Sequence, residues 1–261
     1  MNQTFNFRRF GLLLKLEIAE KGKNYLMMGG MLIAIMLMLM LPIIFSRQNS
    51  PILIFLHALA LFMVVMFGGS LYTSLVFSQY GVPATGISAI MIPASRIEKY
   101  LGTLFINLCF TVPFALLFLK LHESTIAYAN TLLPASENPY KPIPEGFLMY
   151  FINLYVIIQG AIFLGSIYFT KFSFIKSAIG FFLTYLLVGG MYLWQAYYFT
   201  SYPSKLVSFP YTSWEVWYYK LNQSYYAGFP PTFQHVVNGF PFFLLLAMWY
   251  IAFVRLREKQ I

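Results

Sequence analysis

Ile92-Pro93-Ala94-Ser95-Arg96-Ile97-Glu98-Lys99-Tyr100-Leu101-Gly102 is a short charged stretch set between two long apolar runs. One run extends from Ile52 to Phe77 and the other from Tyr100 to Leu121. Each reaches the roughly 20 residues with which a helix crosses ~30 Å of hydrocarbon. A charged wedge between two such runs is a connection on a membrane face, and that reading decides the fold. Pro93 suits the first turn of a helix, where no amide donor is needed. Ala94 to Leu101 supplies good helix formers, with charges at Arg96, Glu98 and Lys99. A helix here could receive force from a soluble partner; a plain solvated loop is the other reading of the same residues.

Working outward, 59% of the chain is hydrophobic, 20% aromatic and only 10% charged, with a mean hydropathy of +0.69. Soluble domains carry about 25% charged residues. The sequence predicts an all-α membrane protein with six spans, at about 26–45, 52–77, 100–121, 147–170, 177–199 and 237–254. Gly239 and Pro241 interrupt the start of the sixth, and Gly68-Gly69 gives the second a place to bend. The alternating segments of a membrane barrel are not present.

Residues 1–25 precede these spans, which occupy 26–261. Phe7, Phe10, Leu14 and Ile18 recur at i, i+3, i+7 and i+11, with Arg8, Lys15 and Lys23 elsewhere around the helix. That spacing predicts an amphipathic helix on the inner membrane face, against lipid, a partner or both. Over twenty residues with both signs of charge precede the first span, so it reads as retained rather than as a cleaved signal.

Six spans put both termini on one side, with the 92–102 connection. That side collects twelve of the 17 Lys and Arg residues. Arg47, Lys120, Lys141, Lys205 and Lys220 fall opposite, so positive residues place both termini in the cytoplasm. The formal charge of +9 follows from this bias and from attraction to anionic headgroups, and does not point to nucleic acid. On the outer side, Trp214, Trp217, Tyr218, Leu221 and Tyr225 predict a short interfacial or re-entrant helix before the last span, either an aromatic belt or an outer gate.

The chain contains no Asp, and all eight of its acids, Glu residues throughout, fall outside the apolar runs. An ion-driven transporter usually needs an ionisable group at depth. His57, His122 and His235 have no i, i+4 partner for a metal and read as polar residues near the outer interface. Asn107, Asn153, Gln159 and Gln195 are polar positions inside spans, either hydrogen-bonded links between helices or a pathway lining. Gly160, Ala161, Gly165, Gly189 and Gly190 would let helices approach closely. The lone Cys109 permits no internal disulfide. There is no phosphate-binding Gly-rich loop and no nucleophile–base pair, so no catalytic residue, metal ligand or cofactor site is assigned.

This arrangement resembles the permease subunit of an ABC-2-type ATP-binding cassette transporter. The likeness covers nearly the whole chain as topology. Its most specific local piece is Ile92 to Gly102, which looks like the family's loose Pro-x-Ser-x-x-Glu-x-x-x-Gly signal. The resemblance implies a coupling helix at Pro93, Ala94, Ser95, Arg96, Ile97, Glu98 and Lys99, docked on a cytoplasmic ATPase beside the N-terminal helix. It implies two ATPase copies holding ATP and Mg, a second permease forming a homodimer, and residence in the bacterial inner membrane. The expected activity is export of an amphipathic, lipid-like or peptide substrate. A non-transporting scaffold or sensor that binds a partner through the same loop is the alternative.

Overall fold

The computed structural model describes residues 4–78, 91–134, 137–208, 210, 213–219, 223–228 and 230–259. Six helices in it are long and apolar enough to cross a membrane: Phe7–Phe45, Pro51–Leu75, Arg96–Leu132, Glu145–Tyr168, Ser173–Phe199 and Thr232–Glu258. They match the six expected runs in order and overlap each. This is the architecture of an integral membrane protein.

The first helix, α1 (Phe7–Met40), starts where the Asn6 side chain accepts hydrogen bonds from the Arg8 and Arg9 amides. The expected division near residue 25 falls inside it, because no Gly or Pro signal strong enough to end a helix intervenes. Its 34 residues make a rod of ~51 Å at 1.5 Å per residue. Such a rod exceeds ~30 Å of hydrocarbon by roughly four turns. Glu17 is held by Lys21 Nζ at 2.6 Å and by the Tyr25 hydroxyl at 2.9 Å. The short α2 (Pro42–Phe45) completes the segment.

Span two is composite: α3 (Pro51–Ala60), a π-helical stretch Leu61–Gly68, and α4 (Gly69–Leu75). The Gly68-Gly69 pair stays helical and marks the end of a π-helical, widened stretch. A Cβ on Gly68 would stand 2.6 Å from Leu32 Cδ2, so glycine lets α1 lie against this stretch.

The next helix, α5 (Arg96–Leu132), corrects two expectations. It begins at Arg96, not at Pro93 or Ala94, because Ser95 and Glu98 form a reciprocal capping box, a stronger start signal than a proline in a first turn. The wedge is therefore the first turns of span three rather than a separate helix. The same helix continues eleven residues past Leu121, so much of the expected outer loop is helical. Glu145–Tyr168 forms α6 and Ser173–Phe199 forms α7. They are joined through Phe172, whose φ of 54° is left-handed backbone. The last helix, α8 (Pro231–Lys259), runs through Pro241 without a break.

The predicted interfacial helix is not formed. Instead β1 (Lys205–Val207), β2 (Trp214–Tyr218) and β3 (Gln223–Ala227) make an antiparallel sheet in the order β1-β2-β3. Trp, Val and Tyr favour strands, and a period of two carries Trp214, Val216 and Tyr218 on one face with Glu215 and Trp217 on the other. Leu221 and Lys220 lie outside the described residues.

Three apolar clusters hold the bundle. The central one joins Met36 and Met40 of α1 to Val64 and Val65 of span two, Phe118 of α5 and Phe151 of α6. At one end, Phe77, Tyr100, Phe163, Ile167, Ala252 and Leu256 converge. At the other, Ile43, Ile126, Ala129 and Tyr140 do so. The end at Phe77 and Tyr100 is called the latch end below.

Candidate functional site

At the latch end the start of α5 is tied to the start of α1. Glu98 is fully buried. Its Oε1 accepts from the Asn6 amide at 2.6 Å and from Arg9 Nη2 at 3.0 Å, and its Oε2 accepts from the Ser95 amide at 2.7 Å. Three donors, one of them charged, offset the desolvation of the carboxylate. Beside it Gly102 leaves room for Leu13 Cδ2, which would lie 2.7 Å from a Cβ there, and Phe10 meets Phe105 edge-on. Of the predicted amphipathic set, Phe10 and Leu14 thus face α5, while Phe7 and Ile18 point outward.

The expected docking residues divide accordingly. Pro93, Arg96 and Ile97 are exposed and Ala94 is half-buried, whereas Ser95, Glu98 and Lys99 are buried within the chain. Tyr100 turns inward too, its hydroxyl donating to the Trp249 carbonyl of α8 at 2.7 Å. Pro93, Arg96 and Ile97 thus face outward, while Glu98 ties the start of α5 to the start of α1.

Between span two, α6, α7 and the sheet lies a cavity of about 900 Å³. Its walls are mostly aromatic and aliphatic. Val207, Glu215 and Tyr226 are one cross-strand rung, since Val207 pairs with Glu215 and Glu215 with Tyr226. All three line the cavity, so this rung is its roof. Ser70 lines it from span two, and its buried hydroxyl has no partner among the described residues. Tyr150 and Tyr185 bridge α6 and α7 across it with hydroxyls 2.5 Å apart. The predicted gate aromatics Trp214, Trp217, Tyr218 and Tyr225 sit in the strands but do not line this space. Glu215 and Tyr226 do.

Two of the four predicted intramembrane polar residues meet. Thr73 Oγ1 lies 2.9 Å from the Gly69 carbonyl, 2.9 Å from the Asn107 amide head and 2.5 Å from the Gln159 head. One hydroxyl proton cannot serve three acceptors. The group closes when Thr73 donates to Gly69 and both amides turn their NH2 groups to its lone pairs, which also satisfies the otherwise unpartnered Gln159 NH2. This knot joins spans two, three and four, the linking role expected of such residues in lipid. Asn153 lies apart, its Nδ2 3.4 Å from Asn238 Oδ1, and Gln195 is exposed.

His57 and His122 form a buried pair, a contact the sequence pattern does not show. Their approach depends on α5 continuing past Leu121, which the sequence reading ended too early. His57 Nε2 lies 3.1 Å from the Met40 carbonyl, which only accepts, so Nε2 carries the proton and neutral His57 presents a bare Nδ1. His122 Nδ1, 3.0 Å away, therefore donates to it. His122 Nε2 is left bare and accepts from the Ile143 amide at 3.1 Å. The chain of bonds is complete with both rings neutral, and it joins α1, α3, α5 and the segment before α6.

The six candidate spans define an integral membrane protein, and an open apolar cleft lies between span two, α6, α7 and the sheet. No protein-family profile, curated protein or solved structure matches the chain. Among the described residues, no three His, Cys, Asp or Glu side chains converge as a metal site.

Proposed function

We propose that this chain is the membrane-spanning permease subunit of an ATP-driven exporter for amphipathic cargo. A separate cytoplasmic ATPase supplies the energy, holding ATP and Mg in its own fold. Two permeases, a homodimer in the simplest assembly, and two ATPases form the working unit, with both termini in the cytoplasm. The observation that supports the reading best is the latch. Exposed Arg96 and Ile97 begin a helix that continues into span three, and the adjacent Glu98 carboxylate grips the start of α1. A push on that patch is delivered to two spans at once, which is what a permease without its own nucleotide site requires.

The test separates contact from architecture. Arg96→Glu and Ile97→Glu change outward-facing side chains and leave the Glu98 bonds in place. Tagged full-length chain purified from its native membranes should bring down an ATP-hydrolysing subunit, and the paired substitution should reduce its recovery about tenfold, as loss of a charged and an apolar contact does. Unchanged recovery overturns the docking assignment. A stable complex containing no ATPase overturns the exporter in favour of a scaffold.

A further inference from the structure

We infer that the cavity between span two, α6, α7 and the sheet binds a single-chain cationic amphiphile, with its chain along α6 and α7 and its amine head beneath Glu215. The inference rests on the permease reading only for what the ligand is for; binding itself needs no ATPase.

Length and volume argue for one chain. The lining along α6 runs from Gly146 to Ile162, ~24 Å at 1.5 Å per residue, most of the ~30 Å of hydrocarbon. At about 30 Å³ for a water-sized group such as a methylene, sixteen take roughly 500 Å³ and two such chains roughly 1000 Å³. The cavity offers about 900 Å³, room for one such chain with its head. A glycan or other polar cargo would leave its hydroxyls unpaired against these walls.

Charge decides the head. Among the described residues that line the cavity, Glu215 alone is charged. It accepts no hydrogen bond and makes no ion pair among them. An ammonium beneath it gains the carboxylate and the neighbouring Tyr226 ring, while a sulfate or phosphate head is repelled. The second mark of a ligand is Ser70, 2% exposed on the cavity wall and without a partner among the described residues. A buried hydroxyl without a partner costs about 1–3 kcal/mol. A chain carrying one amide or hydroxyl at that depth would satisfy it.

Two photoreactive probes test the site on the purified full chain in nanodiscs: a hexadecylamine and the matching hexadecyl sulfate. The amine should label α6 and α7 near Tyr150, Phe181 and Tyr185, about threefold more than the sulfate, the size expected of one partly solvated charge pair. Glu215→Gln should erase that preference while leaving the fold intact. Ala178→Leu, a modest filling of the wall, should cut amine labelling several-fold in protein that still elutes as a single species. Equal labelling by both probes overturns the cationic assignment. Labelling indifferent to Ala178→Leu marks bulk lipid only and overturns the site. Neither result bears on ATPase recovery, so the two readings fail separately.

Discussion

Arg9 sets its Nη2 3.0 Å from Oε1 of Glu98, joining residues 89 positions apart in the chain. Arg9 is one-third exposed and Glu98 fully buried, so the pair is asymmetric. Losing the carboxylate strands the Asn6 and Ser95 amides, while Arg9 keeps the Thr4 carbonyl; losing Arg9 removes only one of three donors.

Glu98→Ala should therefore destabilise the protein by about 3 kcal/mol, in the range for breaking a buried charged cluster. Arg9→Met should cost about 1 kcal/mol, because solvent already screens that partner. A double-mutant cycle on thermal unfolding in detergent should return a coupling near 1 kcal/mol. A zero coupling would mean that the two side chains do not act together. Glu98→Arg should also weaken ATPase recovery, but with a lowered Tm, unlike the Arg96 and Ile97 substitutions.

The His57–His122 contact gives a second expectation. Removing one ring leaves the other nitrogen and either the Met40 carbonyl or the Ile143 amide unpaired in an apolar setting. Each of His57→Leu and His122→Leu should cost about 2 kcal/mol. The double replacement should cost clearly less than the two added, because it removes both members of the central bond. Strict additivity in the unfolding midpoints would count against the bonded chain.

Six apolar runs were legible because lipid enforces continuous helices of a set length, and orientation signals sit in Lys and Arg alone. The latch was half legible. Ser95 and Glu98 are a capping box three residues apart, but their second task depends on Asn6 and Arg9, and no local pattern shows a contact across 89 residues. The sheet was misread because Trp214, Trp217, Tyr218 and Tyr225 fit helical spacing as well as strand spacing, and only pairing with β1 and β3 settles the choice. The cavity had no local signal. Its lining comes from four separated segments, and Ser70 reads as an ordinary small residue until its neighbours are known.

Glycines at two crossings should respond differently. On Gly165 a Cβ would stand 2.7 Å from Ser177 Cβ, an atom fixed to a neighbouring helix. On Gly160 it would stand 2.8 Å from Met248 Sδ, on a flexible side chain. Gly165→Ala should destabilise by about 2 kcal/mol through overpacking. Gly160→Ala should stay within about 1 kcal/mol, since a thioether can swing aside. Equal losses in Tm would mean that α6 and α7 are not held as closely as the Ser177 contact requires.

The two ends of the bundle should open to opposite sides of the membrane. Lys171 lies at the latch end between α6 and α7, and Ser204 lies beside β1, and both are exposed. Cys109 is the single native cysteine and is exposed, so Cys109→Ser supplies a clean background. In intact cells a membrane-impermeant thiol reagent should label Ser204→Cys and spare Lys171→Cys. In inverted vesicles the pattern should reverse, as the concentration of Lys and Arg at the latch end requires. Labelling of both positions from one side would leave an odd number of crossings between Arg96 and Pro231 untenable, and with it the six-span arrangement that brings Glu98 to the start of α1.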